Sequence, residues 1–235
     1  MFSIQEQVTT SRTDRNGKLK LFSAFQMMQD CSELWLDSAV DYRDFLKKNG
    51  FAQLLASRQV EVVRIPDFKE KLTVTTSIFG CEPLFGFRNT FIYDEAGNPC
   101  YKSWSLGVFC DLKNGRMKKL PQEVIDACSY DPKQEMNYKE RRIVVPDGEV
   151  KTFAPVAVQR NDIDYNQHLN NAHYVRIASE YLPEDFNVKG VRVEYKVPVK
   201  LGEELVPQVL TAGNFTYVKL LKKELPCAIL EFEQG

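Results

Sequence analysis

The chain has little of what several classes of protein require. It has no run of the roughly 20 apolar residues that a membrane-spanning helix needs. Its 31 Lys and Arg residues nearly balance its 32 Asp and Glu residues, so that the net charge is −1. Such a chain has no strong field to attract nucleic acid or a membrane, and we predict neither as a partner. The N-terminal residues show no basic segment followed by an apolar one, which predicts a cytoplasmic protein.

Metal-binding residues are equally scarce. There are only two histidines, and the cysteines form no CxxC pair. Zinc sites need closely spaced Cys and His ligands, so we predict no metal, no cofactor and reduced thiols. The six cysteines are Cys31, Cys81, Cys100, Cys110, Cys128 and Cys227.

The two histidines, His168 and His173, both fall within one polar stretch, NDIDYNQHLNNAHY. An imidazole exchanges protons near neutral pH, so the stretch is suited to acid–base chemistry. Asp164, Asn166 and His168 alternate, and in an extended segment their side chains would share one side. The alternative is a polar turn that caps a helix beginning near Asn170. These residues alone support both interpretations equally.

Hydrophobic periodicity predicts the same order of elements twice: a strand, a helix and an antiparallel meander. The first strand and helix are predicted at residues 3–12 and 22–37. The second strand and helix are predicted at residues 152–160 and 170–182, where the helix ends before Pro183. This order predicts an α+β protein in which each helix is wrapped by its own antiparallel sheet.

A short repeat supports an internal duplication. Residues 14–19, DRNGKL, align with residues 164–169, DYNQHL, at an offset of 150, and each hexad precedes a predicted helix. Lys18 occupies the position of His168, so the first copy cannot supply a neutral imidazole and is predicted to be non-catalytic.

The segment 129–149 is polar, lacks periodicity and contains two prolines. It is predicted to be a linker that runs over the surface. We therefore predict an N-terminal domain at residues 1–128 and a C-terminal, catalytic domain at residues 150–235.

Several segments resemble the acyl-acyl carrier protein (acyl-ACP) thioesterases: DIDYNQHLNNAHY, the helix ending SEYLP, DRNGKL and CYKSWSLGVF. The resemblance extends over nearly the whole chain, and the pattern D-x-N-x-H-x-N-N-x-x-Y is fairly specific to that family. It implies two fused hotdog domains, no metal, and hydrolysis of the thioester between a fatty acyl chain and the phosphopantetheine arm of acyl carrier protein in fatty acid biosynthesis. It also implies a bacterial member, because the plant members carry a transit extension.

The family's active-site aspartate, asparagine and histidine correspond to Asp164, Asn166 and His168. We predict that His168 is the base or orients water, that Asn166 holds substrate or water, and that Asp164 fixes the local hydrogen bonds. Whether Asp164 or His168 takes the proton is open.

The resemblance also implies that the N-terminal domain holds the acyl chain. Met27 and Trp35 of its helix are predicted to contact substrate, as is Asn170 in the C-terminal domain. The basic segments 113–119 and 139–142 are predicted docking surfaces for the acidic carrier protein. Duplication allows either a monomer or a homodimer.

The sequence departs from its plant relatives, which carry a glutamate soon after an E-Y-basic-basic run. Here EYKV is followed by Pro198, and Val199 occupies the position of a cysteine once considered a nucleophile. Either Glu203 or Glu204 replaces the glutamate, or the enzyme works without it, which we favour. Other functions compatible with the fold are an acyl-CoA thioesterase, a hydroxyacyl dehydratase and a catalytically silent acyl-binding protein.

Overall fold

The computed structural model describes all residues, 1–235, and the chain forms two compact units. The first unit comprises Met1–Ala56 and Val63–Tyr138, and the second comprises Ser57–Val62 and Lys139–Gly235. The predicted linker is therefore divided between the two units after Tyr138. None of the helices has the length and apolar character needed to cross a bilayer.

The first unit is a helix packed on an antiparallel sheet. Its strand order is β1-β3-β4-β5-β2, and α1 packs against β1, β3 and β4. Phe25, Met28 and Cys31 recur at helical spacing along α1 and are completely or almost completely buried. The elements are α1 (Leu21–Ser38), α2 (Val40–Lys48), α3 (Gln122–Ala127), β1 (Phe2–Gln7), β2 (Phe51–Val62), β3 (Lys71–Cys81), β4 (Phe85–Asp94) and β5 (Pro99–Asp111).

The second unit repeats this arrangement. Residues 57–61 of β2 pair with β8, and the order continues β8-β11-β10-β9, with two short strands, β6 and β7, both paired to β9. Helix α4 packs on β10 and β11 and buries Tyr174, Val175 and Ile177. The predicted α+β class is thus confirmed. The elements are β6 (Lys151–Thr152), β7 (Val156–Ala157), α4 (Asn171–Ser179), β8 (Val188–Tyr195), β9 (Glu204–Ala212), β10 (Phe215–Lys222) and β11 (Leu225–Gln234).

Three predicted element boundaries are wrong. The first strand ends at Gln7, and Thr10–Arg12 form a 3₁₀ turn instead. The predicted strand 152–160 is reduced to two short pieces on either side of Pro155, which has no N–H to donate to a strand. The helix predicted at residues 170–182 is α4, which ends at Ser179 because the next residues form i→i+3 hydrogen bonds.

Candidate active site

A tight turn before α4 brings Asp164 and His168 together. The backbone N–H of Asp164 donates to the carbonyl oxygen of His168 at 2.9 Å, and the N–H of Gln167 donates to the carbonyl oxygen of Asp164 at 3.0 Å. Gln167 has φ of 62°, a left-handed conformation that costs a non-glycine residue about 1–2 kcal/mol. This backbone agrees with the alternative of a polar turn before a helix, since a hydrogen bond joins the backbones of Asp164 and His168 across the turn.

The first unit contains the same turn, at the predicted offset of 150. The N–H of Asp14 donates to the carbonyl oxygen of Lys18 at 2.8 Å, and Gly17 has φ of 75°. Glycine adopts this conformation without strain, whereas Gln167 occupies the equivalent position in the second unit. The backbone of the turn is thus common to both copies, and the imidazole occurs in one of them.

Asp164 holds this turn with its side chain. Its Oδ1 accepts the backbone N–H of Asn166 at 2.8 Å, and Asp14 accepts the N–H of Asn16 at the same distance. This local bond is the usual way in which aspartate stabilises a turn. Because the first copy, which lacks the imidazole, keeps this bond, the contact supports the predicted structural role of Asp164 and does not require a role as base.

The other two predicted catalytic side chains are accessible. His168 is half-buried and Asn166 is exposed. No group of the chain forms a hydrogen bond or an ion pair with the imidazole of His168, which leaves its ring nitrogens available for water or substrate. The exposed carboxamide of Asn166 can donate and accept hydrogen bonds.

Asn170 caps α4, as the helix-cap interpretation predicted. Its Oδ1 accepts the N–H of Ala172 at 2.9 Å, and its own N–H donates to the carbonyl oxygen of Asp162 at 2.9 Å. The amide nitrogen of the side chain is not used in the cap, so contact of Asn170 with substrate stays a prediction.

A buried carboxylate next to the turn was missed in the sequence. Asp162 is 8% exposed, and its Oδ1 lies 2.8 Å from Nδ1 of His173 and 2.8 Å from Nη2 of Arg176. His173 and Arg176 are three residues apart and therefore share one face of α4. That spacing was the available signal, but the position of the 3₁₀ turn that carries Asp162 could not be read from it.

The pKa values of Asp162 and His173 are both lowered in this network. Burial raises the pKa of Asp162, but hydrogen bonds from the Gln159 backbone and His173, with the charge of Arg176, outweigh it and lower the pKa below 3.8. Burial also lowers the pKa of His173 below 6.5, although Asp162 opposes this change. Asp162 is thus a carboxylate and His173 is largely a neutral imidazole.

Glu203, one of the two possible replacements for the missing glutamate, is engaged in its own turn. Its Oε2 accepts the N–H of Lys200 at 2.8 Å and lies 3.0 Å from the ammonium of Lys222. These two contacts lower its pKa. Glu204 is exposed and begins β9. Both observations favour a site that works without a glutamate.

The first unit contains a cavity of about 410 Å³. Trp35 contributes to its wall, whereas Met27 is 1% exposed, lies in the core of the unit and is not among the lining residues. The volume and the predominantly apolar wall are those of a small-molecule site. Its principal apolar and aromatic residues are Trp35, Tyr42, Phe45, Ile78, Phe109 and Tyr130.

Comparison with solved structures shows the fold. Similar structures are a putative oleoyl thioesterase from Lactobacillus plantarum (21% identity, 99% of this chain and 94% of that chain covered, TM-score 0.85) and an acyl-ACP thioesterase from Bacteroides thetaiotaomicron (18%, 99% and 97%, 0.87). A third is the 12:0-ACP thioesterase from Umbellularia californica (17%, 100% and 96%, 0.80). They confirm the predicted pair of fused hotdog domains.

Family models match both parts of the chain. The model of the acyl-ACP thioesterase N-terminal domain matches residues 1–128, and that of the C-terminal domain matches residues 146–231. A search of curated protein sequences finds no match. Since the family models cover nearly the whole chain, it belongs to the acyl-ACP thioesterase family and is a thioester hydrolase.

Proposed function

We propose that Asp164, Asn166 and His168 form the active site at which this enzyme hydrolyses fatty acyl-ACP. The observation that carries the assignment is the duplicated turn, in which both copies share a backbone and only the second carries an imidazole. The first copy keeps the aspartate and the asparagine with the same hydrogen bond between them. Without an imidazole, we take their role in that copy to be structural. His168 is the chemical difference between the copies.

In the proposed mechanism, His168 removes a proton from water as the water oxygen bonds to the thioester carbonyl carbon. The carbonyl oxygen becomes an oxyanion, which the positive end of α4 and the Asn166 carboxamide are suited to stabilise. When the tetrahedral intermediate collapses, the C–S bond breaks and the thiolate of the phosphopantetheine arm takes the proton from the imidazolium. The products are a fatty acid and a free carrier-protein thiol.

The defining experiment measures two products from each of two substrates. Purified enzyme with fatty acyl-ACP, and separately with 3-hydroxyacyl-ACP, is assayed for free thiol and for enoyl product. We expect thiol release from both substrates and no enoyl formation. Enoyl formation without thiol would instead identify a dehydratase, and retention of acyl ligand without turnover would identify a binding protein.

We assign the acyl chain to the cavity of the first unit, whose lining is rich in aromatic rings. Replacing Val124, which lines the cavity, with phenylalanine fills part of this volume. We expect kcat/KM for the longest accepted acyl chains to fall at least about tenfold, while short chains are affected little, because each excluded methylene has an effect of this size in an apolar pocket. A panel of acyl-ACP chain lengths measures the change.

The matched control for this substitution is Val144→Phe, at a residue that is 73% exposed in the second unit. It introduces the same side chain without entering the cavity, and the chain-length profile should match that of the wild type. An unchanged chain-length profile in the Val124→Phe variant would contradict binding of the acyl chain in this cavity.

A basic surface of the first unit is the proposed docking site for the carrier protein. The backbone N–H of Leu112 donates to the carbonyl oxygen of Gly50 at 2.9 Å, which brings the end of β5 beside the end of α2. The cations gathered there attract an acidic partner and accelerate its binding. The five exposed cations of this surface are Lys47, Lys48, Lys113, Arg116 and Lys119.

Lys118, although part of the same basic segment, is committed to the fold. Its ammonium donates to the carbonyl oxygen of Asn49 at 2.8 Å, lies 3.4 Å from Asp111 and stands over the ring of Phe51. In the second basic segment, Lys139 is paired with Glu233 at 2.7 Å. Tests of docking should therefore leave Lys118 and Lys139 in place.

Replacing Lys113 and Lys119 together with glutamate should raise KM for acyl-ACP about fivefold or more, because the electrostatic attraction to the carrier protein is reversed locally. KM for the same acyl group on coenzyme A should stay within about twofold, since only the carrier protein would use this surface. Lys189→Glu with Lys223→Glu provides a control of equal net charge on exposed residues. Equal effects on both substrates would contradict the docking assignment.

The same proposal places the enzyme in fatty acid biosynthesis, where it releases free fatty acid from the carrier protein. The proposal also assigns binding of the acyl chain to the N-terminal domain and catalysis to the C-terminal domain. A cytoplasmic location, a bacterial source and a monomeric or homodimeric state stay predictions from the sequence.

A further inference from the structure

The carboxylate of Asp162 contacts both the segment before the catalytic turn and the helix after it. Its Oδ2 accepts the N–H of Gln159 at 2.9 Å, and its Oδ1 contacts His173 and Arg176 of α4. The carbonyl oxygen of the same residue accepts the N–H of Asn170 at 2.9 Å. One buried residue thus connects the turn that precedes the active-site residues to the helix that follows them.

The first unit lacks this network, although it has the same turn. The backbone bond is conserved, since the N–H of Lys20 donates to the carbonyl oxygen of Arg12 at 2.9 Å. Arg12 itself points to a different partner and pairs with Glu6 of β1. At the positions of Asp162, His173 and Arg176, the first unit has Arg12, Ser23 and Gln26.

The two copies show that the turn can fold without the network of Asp162. Because the first unit builds the turn without a buried carboxylate, backbone hydrogen bonds and an aspartate cap are sufficient for its shape. The second unit must in addition hold Gln167 in a left-handed conformation, where the first has the unstrained Gly17. Strained backbone of this kind persists where the surrounding contacts over-determine it, which is typical of functional sites.

We infer that Asp162 is a positioning residue for the hydrolysis, and that it fixes the turn against α4 through His173 and Arg176 so that His168 keeps one orientation. The inference rests on the proposed function of His168. It assigns no chemistry to Asp162, His173 or Arg176, which act through the geometry of the turn. A displacement of about 1 Å in a reacting group is enough to lower a rate by about a hundredfold.

The test uses Asp162→Asn, which keeps the shape of the side chain and removes its charge. We expect kcat for acyl-ACP hydrolysis to fall about 10- to 100-fold, with KM within about twofold, because binding of the acyl chain and carrier protein does not involve this network. Arg176→Met should lower kcat similarly, and Arg176→Lys should restore part of it.

The matched control is Arg12→Gln, at the equivalent position of the first unit. It breaks the Arg12–Glu6 pair and reports what loss of a local ion pair does to stability alone. Its kcat should stay within about twofold of the wild type when both proteins are assayed well below their unfolding transitions. A network that is merely structural would give the two variants the same kinetics.

Amide hydrogen exchange supplies a second measurement that does not depend on turnover. In Asp162→Asn, the N–H groups of Asp164 and Gln167 should exchange faster, while those of Asp14 and Gly17 keep their wild-type rates. Unchanged exchange and unchanged kcat would overturn the inference. Wild-type enzyme without thioesterase activity would refute the proposed function. The exchange rates of Asp164 and Gln167 would still show whether Asp162 fixes the turn. If Asp162→Asn does not fold, Arg176→Met provides both measurements.

Discussion

Replacing His168 with alanine is expected to lower kcat for acyl-ACP hydrolysis by about 10²–10⁴-fold, which is the usual contribution of a general base. The imidazole is the group that distinguishes the turn of the proposed active site from its duplicate, and no other group of the chain forms a hydrogen bond or ion pair with it. The free energy of unfolding should change by less than about 0.5 kcal/mol, because the imidazole forms no hydrogen bond or ion pair within the chain. Free thiol release measures the first effect and chemical denaturation the second.

Two variants make this result specific. Lys18→Ala alters the equivalent position of the first unit, where Lys18 forms an exposed pair with Asp67, and should leave kcat unchanged. Asp164→Asn keeps an oxygen that can accept the N–H of Asn166 and should lower kcat much less than His168→Ala does. The reverse order, a severe loss for Asp164→Asn and a mild one for His168→Ala, would make Asp164 the base.

The residue types of the site could be predicted from the sequence, but their arrangement could not. The alternation of Asp164, Asn166 and His168 was compatible with an extended segment and with a polar turn, because spacing alone does not define the backbone conformation. The decisive feature is the left-handed residue Gln167, and glutamine gives no signal for that conformation. The aligned Gly17 of the first hexad did carry that signal, and a comparison of the two copies would have favoured the turn over the extended segment.

The buried Asp162 shows a second limit. An aspartate in a polar stretch is most simply taken as exposed, and its burial becomes favourable only with His173 and Arg176 in place. Those partners come from the next element of structure. Long, periodic elements such as α1 were predictable, since their burial pattern follows from one continuous segment.

The bounds of strand β2 could not be predicted from the sequence, for a related reason. Its central residues Ser57, Arg58 and Gln59 are polar, yet each is at most 5% exposed. The burial of these residues depends on strands distant in sequence, so the local pattern does not alternate between apolar and polar. The predicted linker also depends on contacts with distant strands, and part of it is bound to the first unit through a buried asparagine.

That asparagine is Asn89 of β4, and it is 1% exposed. Its Oδ1 accepts the N–H of Gln134 at 3.0 Å, and its Nδ2 donates to the hydroxyl of Tyr138 at 2.9 Å and to the carbonyl oxygen of Ser103 at 3.2 Å. The Tyr138 hydroxyl in turn donates to the carbonyl oxygen of Gln134 at 2.8 Å. The carboxamide of Asn89 thus contributes three hydrogen bonds that connect residues 134–138 and Ser103 to β4.

Asn89→Ala should therefore lower the free energy of unfolding by about 2–4 kcal/mol, because it leaves several buried polar groups without partners. The neighbouring Ser103→Ala is the control, since the hydroxyl of Ser103 is fully buried and has no hydrogen-bond partner. Removing an unsatisfied hydroxyl should be neutral or stabilising, within about 1 kcal/mol. Urea unfolding of both variants measures the difference. Equal losses would mean that packing volume, and not the hydrogen bonds of Asn89, holds this segment on the sheet.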